Sequence, residues 1–599
     1  MSSLSNQQIN SSFSGLLQVP GGITSSLQQV QDGNGNTTGL FISSTGTNTT
    51  TTDSFVASKE GIALTDAIPR LISDGFGDSV SVKDFGAIGD GVADDTIAIQ
   101  NAVSSIISVG GGSIYFPSGN YKISSAINFN GEHLYIYGDG IKATNITATH
   151  NGYMFHFTED YFVIRDISFV GPLNPAYTSS TGIRADVRFE LGVKVGAQNY
   201  SIKNVLVNNC YNGLDLEGSA NSLLDGIQTI NCYNIGIRCV AAQGKWNSLN
   251  VATSFSHGLS LEPHPTPGLG MASPFISNLE TFANGGYGVY VQSGMGLQLI
   301  GAFINNDSKG GIYFNTNPLL IIGQITNAII QFCGVNPFDP RTNPSNPYTG
   351  NKNAAAIQKV VGATGAVIID NLTTYNNAGC DIKTSGSTIL TSSYLIGCGG
   401  GIPASNGQPA EPASATDIFA FQDNGGANRI TGCSMASPVQ INGNFNTIST
   451  SFISNNSSSV PAFDVAAASQ YSVFTGLNIY QNNGAGISFR SNAGSIYYVS
   501  NVSALGGSIV SNGSSNSGDV LPNTVTAKTS FVSKNVATDV SVNSSALQVF
   551  SYNNGNSALG LKSSDSTIKV TASINTVDRK IRCLVDGETV YILASTSSS

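Results

Sequence analysis

The sequence is poor in charge, above all in positive charge. Only 10% of its 599 residues are charged, against roughly 25% in ordinary soluble domains. Its 26 lysines and arginines are outnumbered by 36 aspartates and glutamates, so the formal net charge is -10 at pH 7. Because nucleic acids and anionic membrane surfaces are bound by basic faces, this composition argues against both as the main partner.

The chain also lacks the sequence features of membrane insertion and of ordinary secretion. It contains no apolar run near the roughly 20 residues that span a bilayer. The segment from Met1 to Leu17 has neither the positive nor the apolar part of a signal peptide. We therefore expect a protein that is neither inserted into a membrane nor exported by such a signal.

Cysteine is present but not in metal-binding or disulfide patterns. Eight cysteines are scattered along the chain, and none forms a C-x-x-C pair. This spacing argues against metal clips and dense disulfide frameworks. We interpret Cys210 and Cys232, which lie in similar phrases, as small buried residues on neighbouring turns of the fold.

Small polar residues and regularly spaced apolar residues make up most of the chain. Hydrophobic residues account for 40% of it, and 68 residues are glycine. An apolar content of this size argues against disorder. Low charge with many small polar side chains suits stacked β-strands, because such side chains can form ladders along the stack.

The first 78 residues differ from the rest of the chain. They are rich in Ser, Thr, Asn and Gln, and 47–53 resembles a low-complexity linker. Short alternating pieces such as Gly39 to Ile42 predict small strands. We interpret 1–78 as a separate N-terminal module with its linker.

A distinctive segment, Val82 to Ser124, follows this module. Its sequence is VKDFGAIGDGVADDTIAIQNAVSSIISVGGGSIYFPSGNYKIS. It predicts a strand and glycine turn at 82–87, then an amphipathic helix that Asp94 and Asp95 can cap. Three glycines from Gly110 end the helix, and further strands follow. Such a helix would cover the open end of a strand stack.

This segment resembles the entry motif of the pectate-lyase-like right-handed β-helix superfamily, in the form that phage tailspikes and related depolymerases carry. The phrases DFGA, GDGxxDDT and GGGxIxFPxGxY bear the resemblance. It implies that the aspartates of the motif are structural. It also implies a homotrimer, an N-terminal module that attaches to a virion tail or baseplate protein, and a location on the phage particle.

Internal repeats follow the entry segment. Five phrases begin with glycine and alternate apolar and polar residues: 213–217, 236–240, 258–262, 288–292 and 311–315. Their spacing near 22–23 residues fits one β-helix coil of three short strands. The second and fourth residues of each phrase should point inward and the third and fifth outward.

The resulting prediction is an all-β chain with a right-handed parallel β-helix as its main part. The entry segment with its helix occupies 79–130, and the β-helix body occupies 131–518. From about 520, alternating strands separated by turns predict a small C-terminal β domain over 519–599, with Asp586-Gly587 as a hairpin turn. The resemblance assigns trimer assembly to this last part.

Alignment of the phrases predicts one patch of outward-facing carboxylates. Asp215 shares a column with Arg238, whereas Glu217 and Glu262 share the next column, two rungs apart. Two rungs separate backbones by about 9–10 Å, and inverting glycosidases hold their carboxyl groups roughly 6.5–9.5 Å apart. We therefore predict Glu217 and Glu262 as catalytic, with Asp215 as a third candidate that leaves a retaining pair open.

Further residues are predicted to bind the substrate. Arg238 can hold a carboxylate ionised or bind an acidic sugar. Tyr290 and Tyr313 extend the patch with flat faces that suit a pyranose. Trp246, the only tryptophan, can stack on sugar or lie at a subunit interface.

Two histidines flank Glu262 in the sequence. His257 precedes it, and His264 lies in a Pro-rich insertion that follows it. Either could act as a base or bind a metal, but their spacing matches no common ligand motif. We predict substrate contact for both, with neither metal nor cofactor.

The functional prediction is a phage tailspike that recognises and hydrolyses a bacterial capsule or O-antigen polysaccharide with paired carboxylates. One alternative is a polysaccharide lyase, with Arg238 or Lys245 available as a base. Another is a non-catalytic receptor-binding spike. A secreted pectinase-like enzyme fits less well because the chain lacks a secretory start.

Overall fold

The fold is described from a computed structural model of the chain. The residues that it describes are 28–31, 37–42, 79–150, 152–171, 193–195, 198–217, 221–241, 243–263, 273–292, 295–315, 322–334, 354–360, 365–396, 419–455, 460–466, 469, 471–481, 485–489, 497–500, 502–505, 508–511, 525–527, 530–533, 547–549, 559–561, 580–585 and 588–593.

The entry segment begins with a 3-10 helix where the sequence predicted a strand. Strand Ser79–Ser81 is followed by the 3-10 helix Val82–Phe85. Ser81 caps this helix, and its backbone N–H binds the Asp84 carboxylate in return. This reciprocal capping box stabilises a helical turn that alternation of apolar residues does not reveal. Gly86 then ends the turn at φ +96°.

The predicted cap helix is present as Thr96–Ser108. It buries Ile99, Ala102, Val103 and Ile106 against the first coil. Asp95 stands at its N-cap position, but its carboxylate accepts the backbone N–H groups of two preceding residues instead of capping the helix. The aspartates of this segment therefore organise the entry loop.

Sixteen parallel strands form one face of the coil stack, here called the long sheet. The glycine phrases of the sequence all lie in it, which confirms their alignment. In chain order its strands are Ile127–Phe129, Phe155–Phe157, Val193–Val195, Leu214–Glu217, Ile237–Val240, Leu259–Glu262, Tyr287–Val291, Gly310–Phe314, Ile357–Lys359, Ile382–Thr384, Phe421–Asp423, Val439–Ile441, Phe463–Val465, Ala485–Phe489, Ser508–Ser511 and Ser530–Ser533.

In several coils one long strand bends from the second face onto the third. The strands of these two faces also pair in parallel from rung to rung. These strands are Asp90–Asp94, Gly112–Phe116, Gly119–Ile123, Leu134–Gly138, Thr144–Ala148, Phe162–Val170, Ser201–Asn208, Ser222–Ile230, Gly244–Ala252, Phe275–Phe282, Met295–Ile300, Phe303–Asn305, Ile322–Gln331, Val367–Tyr375, Thr388–Thr391, Tyr394–Ile396, Arg429–Thr431, Ser434–Met435, Thr447–Ser449, Phe452–Asn455, Ser472–Thr475, Asn478–Gln481, Tyr497–Ser500, Val502–Leu505 and Val525–Ala527.

The bend between the second and third faces uses a left-handed residue in successive coils. Asp166, Asn204, Gly226, Ser248 and Asn278 stand opposite one another across the rungs, with φ between +47° and +66°. Asn, Asp and Gly adopt this conformation more readily than other residues. The abundance of small polar residues is therefore explained by the corners as well as by the ladders.

The core runs along the inside of the stack. The second and fourth residues of the five phrases are all buried, as predicted: Leu214, Leu216, Ile237, Cys239, Leu259, Leu261, Val289, Val291, Ile312 and Phe314. The leading glycines are required by close packing. A Cβ at Gly213 would lie 2.4 Å from the Gly236 carbonyl oxygen. Six of the described cysteines, Cys210 and Cys232 among them, are buried thiols.

Parallel coils extend further than the predicted boundary at 518. Val525–Ala527 and Ser530–Ser533 pair in parallel with strands of the preceding coil. Antiparallel pairing begins only beyond them, between Leu547–Val549 and Leu559–Leu561. Strands Lys580–Val585 and Glu588–Leu593 pair as the predicted hairpin requires, although Asp586 and Gly587 themselves lie outside the described residues.

The N-terminal module contributes one described element. Strands Gln28–Gln31 and Thr37–Ile42 pair antiparallel, in agreement with the short strand predicted at Gly39 to Ile42. Across the described residues, no helix combines the length and the apolar character that crossing a bilayer requires.

Asp307 is one of several buried carboxyl groups in the described part of the chain. Asp307 is fully buried and accepts hydrogen bonds from the Thr281 hydroxyl at 2.6 Å and from the backbone and side-chain nitrogens of Asn284 at 2.9 and 2.8 Å. Burial raises the pKa of Asp307 from 3.8 to about 7, although these hydrogen bonds lower it. The folded protein thus keeps a proton that the unfolded chain releases between these pH values.

We predict that the thermal midpoint of Asp307→Asn, measured relative to that of wild type, is higher at pH 8 than at pH 5. Wild-type stability falls as pH rises from 3.8 to 7, because the unfolded state ionises more readily, and the amide variant avoids this loss of at most about 4 kcal/mol. Thermal midpoints at a fixed scan rate measure the effect.

Asp423→Asn is the matched control. The Asp423 carboxylate accepts the backbone N–H groups of Gly425, Gly426 and Gly443, so an amide should destabilise the protein at both pH values. A difference between wild type and Asp307→Asn that does not change with pH would contradict the prediction.

Candidate acidic site on the long sheet

The long sheet brings the predicted site residues together on its outer surface. Asp215 pairs with Arg238, which pairs with Ser260, and the column continues through Tyr290 to Tyr313. The structure therefore has the register that the alignment of the phrases predicted.

The second predicted column also has the expected register. Glu217 pairs with Val240, which pairs with Glu262. The two glutamates each end a strand, at the same position two rungs apart. Together with Asp215 and Arg238 they form what we call the acidic patch.

Arg238 bridges two carboxylates of this patch. Its Nη1 donates to Asp215 Oδ1 at 3.0 Å. Its Nε and Nη2 both approach Glu262 Oε2, at 3.1 and 3.0 Å. Ser260, which is buried on the same strand as Glu262, donates its hydroxyl to Glu262 Oε1 at 2.9 Å. Both oxygens of Glu262 are therefore held in place.

The bridge is partly shielded from water. The Asp215 side chain is 7% exposed, that of Glu262 19% and that of Arg238 30%. Burial alone lowers the pKa of Arg238, but the charges of Asp215 and Glu262 and their hydrogen bonds outweigh it and raise the pKa above its usual value. Arg238 therefore stays a cation that positions carboxylates, and it is poorly suited to accept a proton.

Glu217 lies at the edge of the patch. Its side chain is half-buried, and it ends the strand Leu214–Glu217. Removing Arg238 would leave Asp215 and Glu262 as shielded like charges without their bridge, a change that costs several kcal/mol when it occurs at buried pairs. The bridge thus fixes the positions of Asp215 and Glu262.

An aromatic row continues the surface beyond the acidic patch. It comprises His257, Tyr287, Tyr290 and Tyr313. The His257 ring stacks on that of Tyr290 at 4.2 Å and 5°, and Tyr287 stacks on Tyr313 at 4.3 Å and 20°. The Tyr290 hydroxyl accepts hydrogen bonds from Gln292 and from Asn315. The rings are thereby held as a continuous half-buried surface.

His257 is a neutral member of this row. Burial, and to a lesser extent the charge of Lys309, lowers its pKa from 6.5 to about 4. Its Nδ1 lies 3.1 Å from the Tyr287 backbone N–H, which donates to it. The proton of the neutral ring is therefore assigned to Nε2.

Two predicted substrate contacts fall outside this surface. Trp246 is fully buried in the core, where its Nε1–H donates to Ser222 Oγ at 3.0 Å. It can therefore contact neither a sugar nor a second subunit, and its prediction as a binding residue is wrong. His264 lies outside the described residues.

Sequence reasoning missed two contributors to the site. Ser260 fixes Glu262, and Tyr287 stacks on Tyr313. Tyr287 precedes the glycine of its phrase, and it could have been found had the strand been started one residue earlier. The described residues contain no group of three or more His, Cys, Asp or Glu side chains arranged to hold a metal ion.

Comparison with protein families matches the entry region. Residues 79–188 match the family described as Rhamnogalacturonase A/epimerase, pectate lyase-like. This region of the chain is therefore pectate-lyase-like, as its sequence motif indicated.

Curated relatives match over short stretches. Mannuronan C5-epimerase AlgE5 of Azotobacter vinelandii is 57% identical over 44 residues, which are 7% of this chain and 4% of that protein. Plasmin and fibronectin-binding protein A of Streptococcus pneumoniae is 32% identical over 182 residues, covering 26% of this chain and 25% of the relative. The chain thus spans a small part of each relative.

The solved structures that align with this protein have low sequence identity to it. The A-module of mannuronan C-5 epimerase AlgE6 from Azotobacter vinelandii has a TM-score of 0.40 at 18% identity, covering 71% of this chain and 99% of the module. Tailspike protein 3 of bacteriophage CBA120 has a TM-score of 0.40 at 13% identity, covering 85% of this chain and 72% of its own.

We predict that His257→Asn changes how stability depends on pH. Asparagine keeps an acceptor near the position of Nδ1 but cannot be protonated. Because the folded-state pKa is depressed, wild type should lose stability relative to the variant as pH falls from 6.5 towards 4, by at most about 3 kcal/mol. Thermal midpoints across that range give the difference, and a constant difference would contradict the assignment of a neutral buried imidazole.

Proposed function

We propose that this chain is a phage tailspike that binds and hydrolyses a bacterial surface polysaccharide on the outer surface of its long sheet. The observation that carries the proposal is the acidic patch. Two glutamates, Glu217 and Glu262, end strands at the same position two rungs apart, beside an arginine that bridges Glu262 to Asp215. The pectate-lyase-like match of 79–188 supports a carbohydrate substrate, as do the mannuronan epimerases among the relatives.

The two glutamates take different roles in this proposal. Glu262, held by Arg238 and Ser260, acts as the carboxylate that orients and activates water. Glu217 acts as the acid that protonates the leaving oxygen. Their backbones lie roughly 9–10 Å apart, and the reach of the side chains makes attainable the roughly 6.5–9.5 Å between carboxyl groups that leaves room for the water of an inverting reaction.

The aromatic row supplies the adjoining contact surface for the polymer. Flat rings favour the apolar face of a pyranose, and stacked rings lose little conformational freedom on binding. A rigid row parallel to the coil axis suits an extended chain better than a small molecule.

The state of Arg238 argues against an elimination that uses this residue as its base. A lyase needs a group that removes a proton next to a uronate carboxylate, and Arg238 was one candidate. Its two carboxylate partners raise its pKa, with burial alone acting in the opposite direction. Proton removal at this position is therefore disfavoured.

We predict that Glu217→Gln and Glu262→Gln each slow depolymerisation by roughly 10²–10⁴-fold, the usual contribution of general acid–base catalysis. The measurement is the size distribution of capsule and O-antigen preparations after incubation with the protein, together with ultraviolet absorbance for the unsaturated ends that elimination creates. Glu280→Gln is the matched control, because Glu280 lies on the third face and contacts Asn250.

Full activity in both glutamate variants would refute the assignment of the acid pair. Binding of polysaccharide by wild type without any fall in polymer size would instead establish a non-catalytic receptor-binding spike.

We also propose that three copies of the chain associate through the third face of the coil. An apolar stripe follows this face over many rungs, and its members are each 40–57% exposed: Phe282, Ile329, Tyr375, Tyr394, Ile396, Phe452 and Tyr480. Exposed aromatic and aliphatic side chains that recur on one face over many rungs are unusual in a monomer and are typical of an interface. Attachment of 1–78 to a virion tail or baseplate protein completes the proposal and places the trimer on the phage particle.

We predict that Tyr375→Asp with Tyr394→Asp converts the trimer to smaller species in sedimentation velocity, because buried carboxylates without partners oppose association. Phe445→Asp with Tyr471→Asp is the matched control. These rings are also exposed and stack at 5.2 Å, but they lie at a corner of the coil. A monomeric wild type, or a double tyrosine variant that remains trimeric, would contradict this interface.

A further inference from the structure

A groove lies beside the acidic patch, where the coils turn onto their second face. It has a volume of about 460 Å³ and four rungs line it. We call it the side groove. Its lining residues are Asn221, Ser222, Leu223, Gln243, Gly244, Lys245, Ser273, Phe275, Gly296 and Gln298.

One outward column runs along the side groove. Leu223 pairs with Lys245, Lys245 with Phe275, and Phe275 with Gln298. Successive rungs are about 4.8 Å apart, so the column extends roughly 14 Å along the axis. A groove of this length parallel to the coil axis suits several units of an extended polymer.

The side groove combines a cation with exposed apolar surface. Lys245 is exposed and makes no ion pair within the part of the chain that the structure describes. Phe275 and Leu223 on the neighbouring rungs are each 38% exposed. In a chain with a net charge of -10, a lysine between two exposed apolar side chains provides complementarity to an anion that also has an apolar face.

The floor of the groove is rigid. A Cβ on Gly244 would lie 2.1 Å from the Ser222 carbonyl oxygen. Ser222 in turn accepts the Trp246 indole N–H and donates to the Gln243 carbonyl at 2.8 Å. The buried tryptophan thus supports the groove from beneath. A preformed floor reduces the entropy lost on binding.

The side groove and the acidic patch are close along the chain. Asn221 lines the groove four positions after Glu217. Even a fully extended segment of this length spans at most about 14 Å. One polymer can therefore occupy both surfaces.

We propose that the side groove is a subsite for a negatively charged sugar unit. Lys245 pairs with the sugar carboxylate, and Phe275 and Leu223 contact the apolar face of its ring. The amides of Asn221, Gln243 and Gln298 supply hydrogen bonds to hydroxyl groups. This inference deepens the proposed function, on which it rests for the identity of the ligand as a polysaccharide.

The test uses the full chain and two forms of one probe, one charged and one uncharged. A tetrasaccharide of galacturonic acid and its fully methyl-esterified form differ in charge while sharing the same sugar backbone. Saturation-transfer NMR titrations give the affinity of each. We expect wild type to bind the acid form more tightly, and added salt to reduce that preference because it screens the charge of Lys245.

Three variants locate the binding. Lys245→Met, which keeps the length of the side chain, should weaken binding of the acid form roughly tenfold and leave the ester unchanged. Phe275→Ala should weaken both forms. Lys142→Met, which removes an exposed lysine from a distant coil, is the control and should have no effect.

Equal binding of the acid and ester forms, no binding of either form, or unchanged affinity in Lys245→Met would overturn the inference. A change in sedimentation of Lys245→Met with unchanged affinity would also overturn it, since the groove would then be a subunit contact.

Depolymerisation measured on the same preparations separates the two proposals. If wild type cleaves polymer while the acid and ester forms bind with equal affinity, the subsite inference is refuted and the proposed function stands. If Lys245→Met loses its preference for the acid form while no polymer is cleaved, the subsite stands and the catalytic proposal fails.

Discussion

Parallel hydrogen bonding between rungs is the constraint on which this molecule depends. It holds neighbouring strands at about 4.8 Å and converts sequence separations of 22 or 23 residues into direct contact. Each coil must return to the same place, so its corners use left-handed residues at matching positions, and glycine stands where strands approach too closely for a Cβ. The same constraint explains why the 30-residue spacing between Ser260 and Tyr290 leaves the register of the sheet unchanged.

The acidic patch follows from that register. Asp215 and Glu262 are far apart in sequence, and they become partners of one arginine because they lie on the rungs before and after it. Bridging by Arg238 then fixes Asp215 and Glu262. Glu217 ends the strand that carries Asp215. In the proposed function, Glu262 and Glu217 take the base and acid roles on a glycosidic bond.

Much of this arrangement could be predicted from the sequence, because register depends on local patterns. The glycine phrases identified the inward Leu214 and Leu216 and the outward Asp215 and Glu217 without any long-range information. Trp246 could not be placed in the same way. It lies in a phrase of Gly, Lys and Asn that suggests exposure, but it pairs with the inward Leu224 and Ile276 on the neighbouring rungs and is fully buried. The 3-10 helix at Val82–Phe85 was missed because its capping box overrides the alternation of apolar residues. The coils beyond 518 were missed because strands of three or four residues pair equally well in parallel or antiparallel sheets.

The stereochemistry of the reaction tests the central claim most directly, because it reports the spacing of the two glutamates. Proton NMR during cleavage of a polysaccharide substrate follows the anomeric configuration of each newly formed reducing end before it mutarotates. An acid and a base separated by two rungs predict inversion of configuration. Retention would show that a closer pair such as Asp215 and Glu217 performs the chemistry, and it would contradict the account given for Glu262.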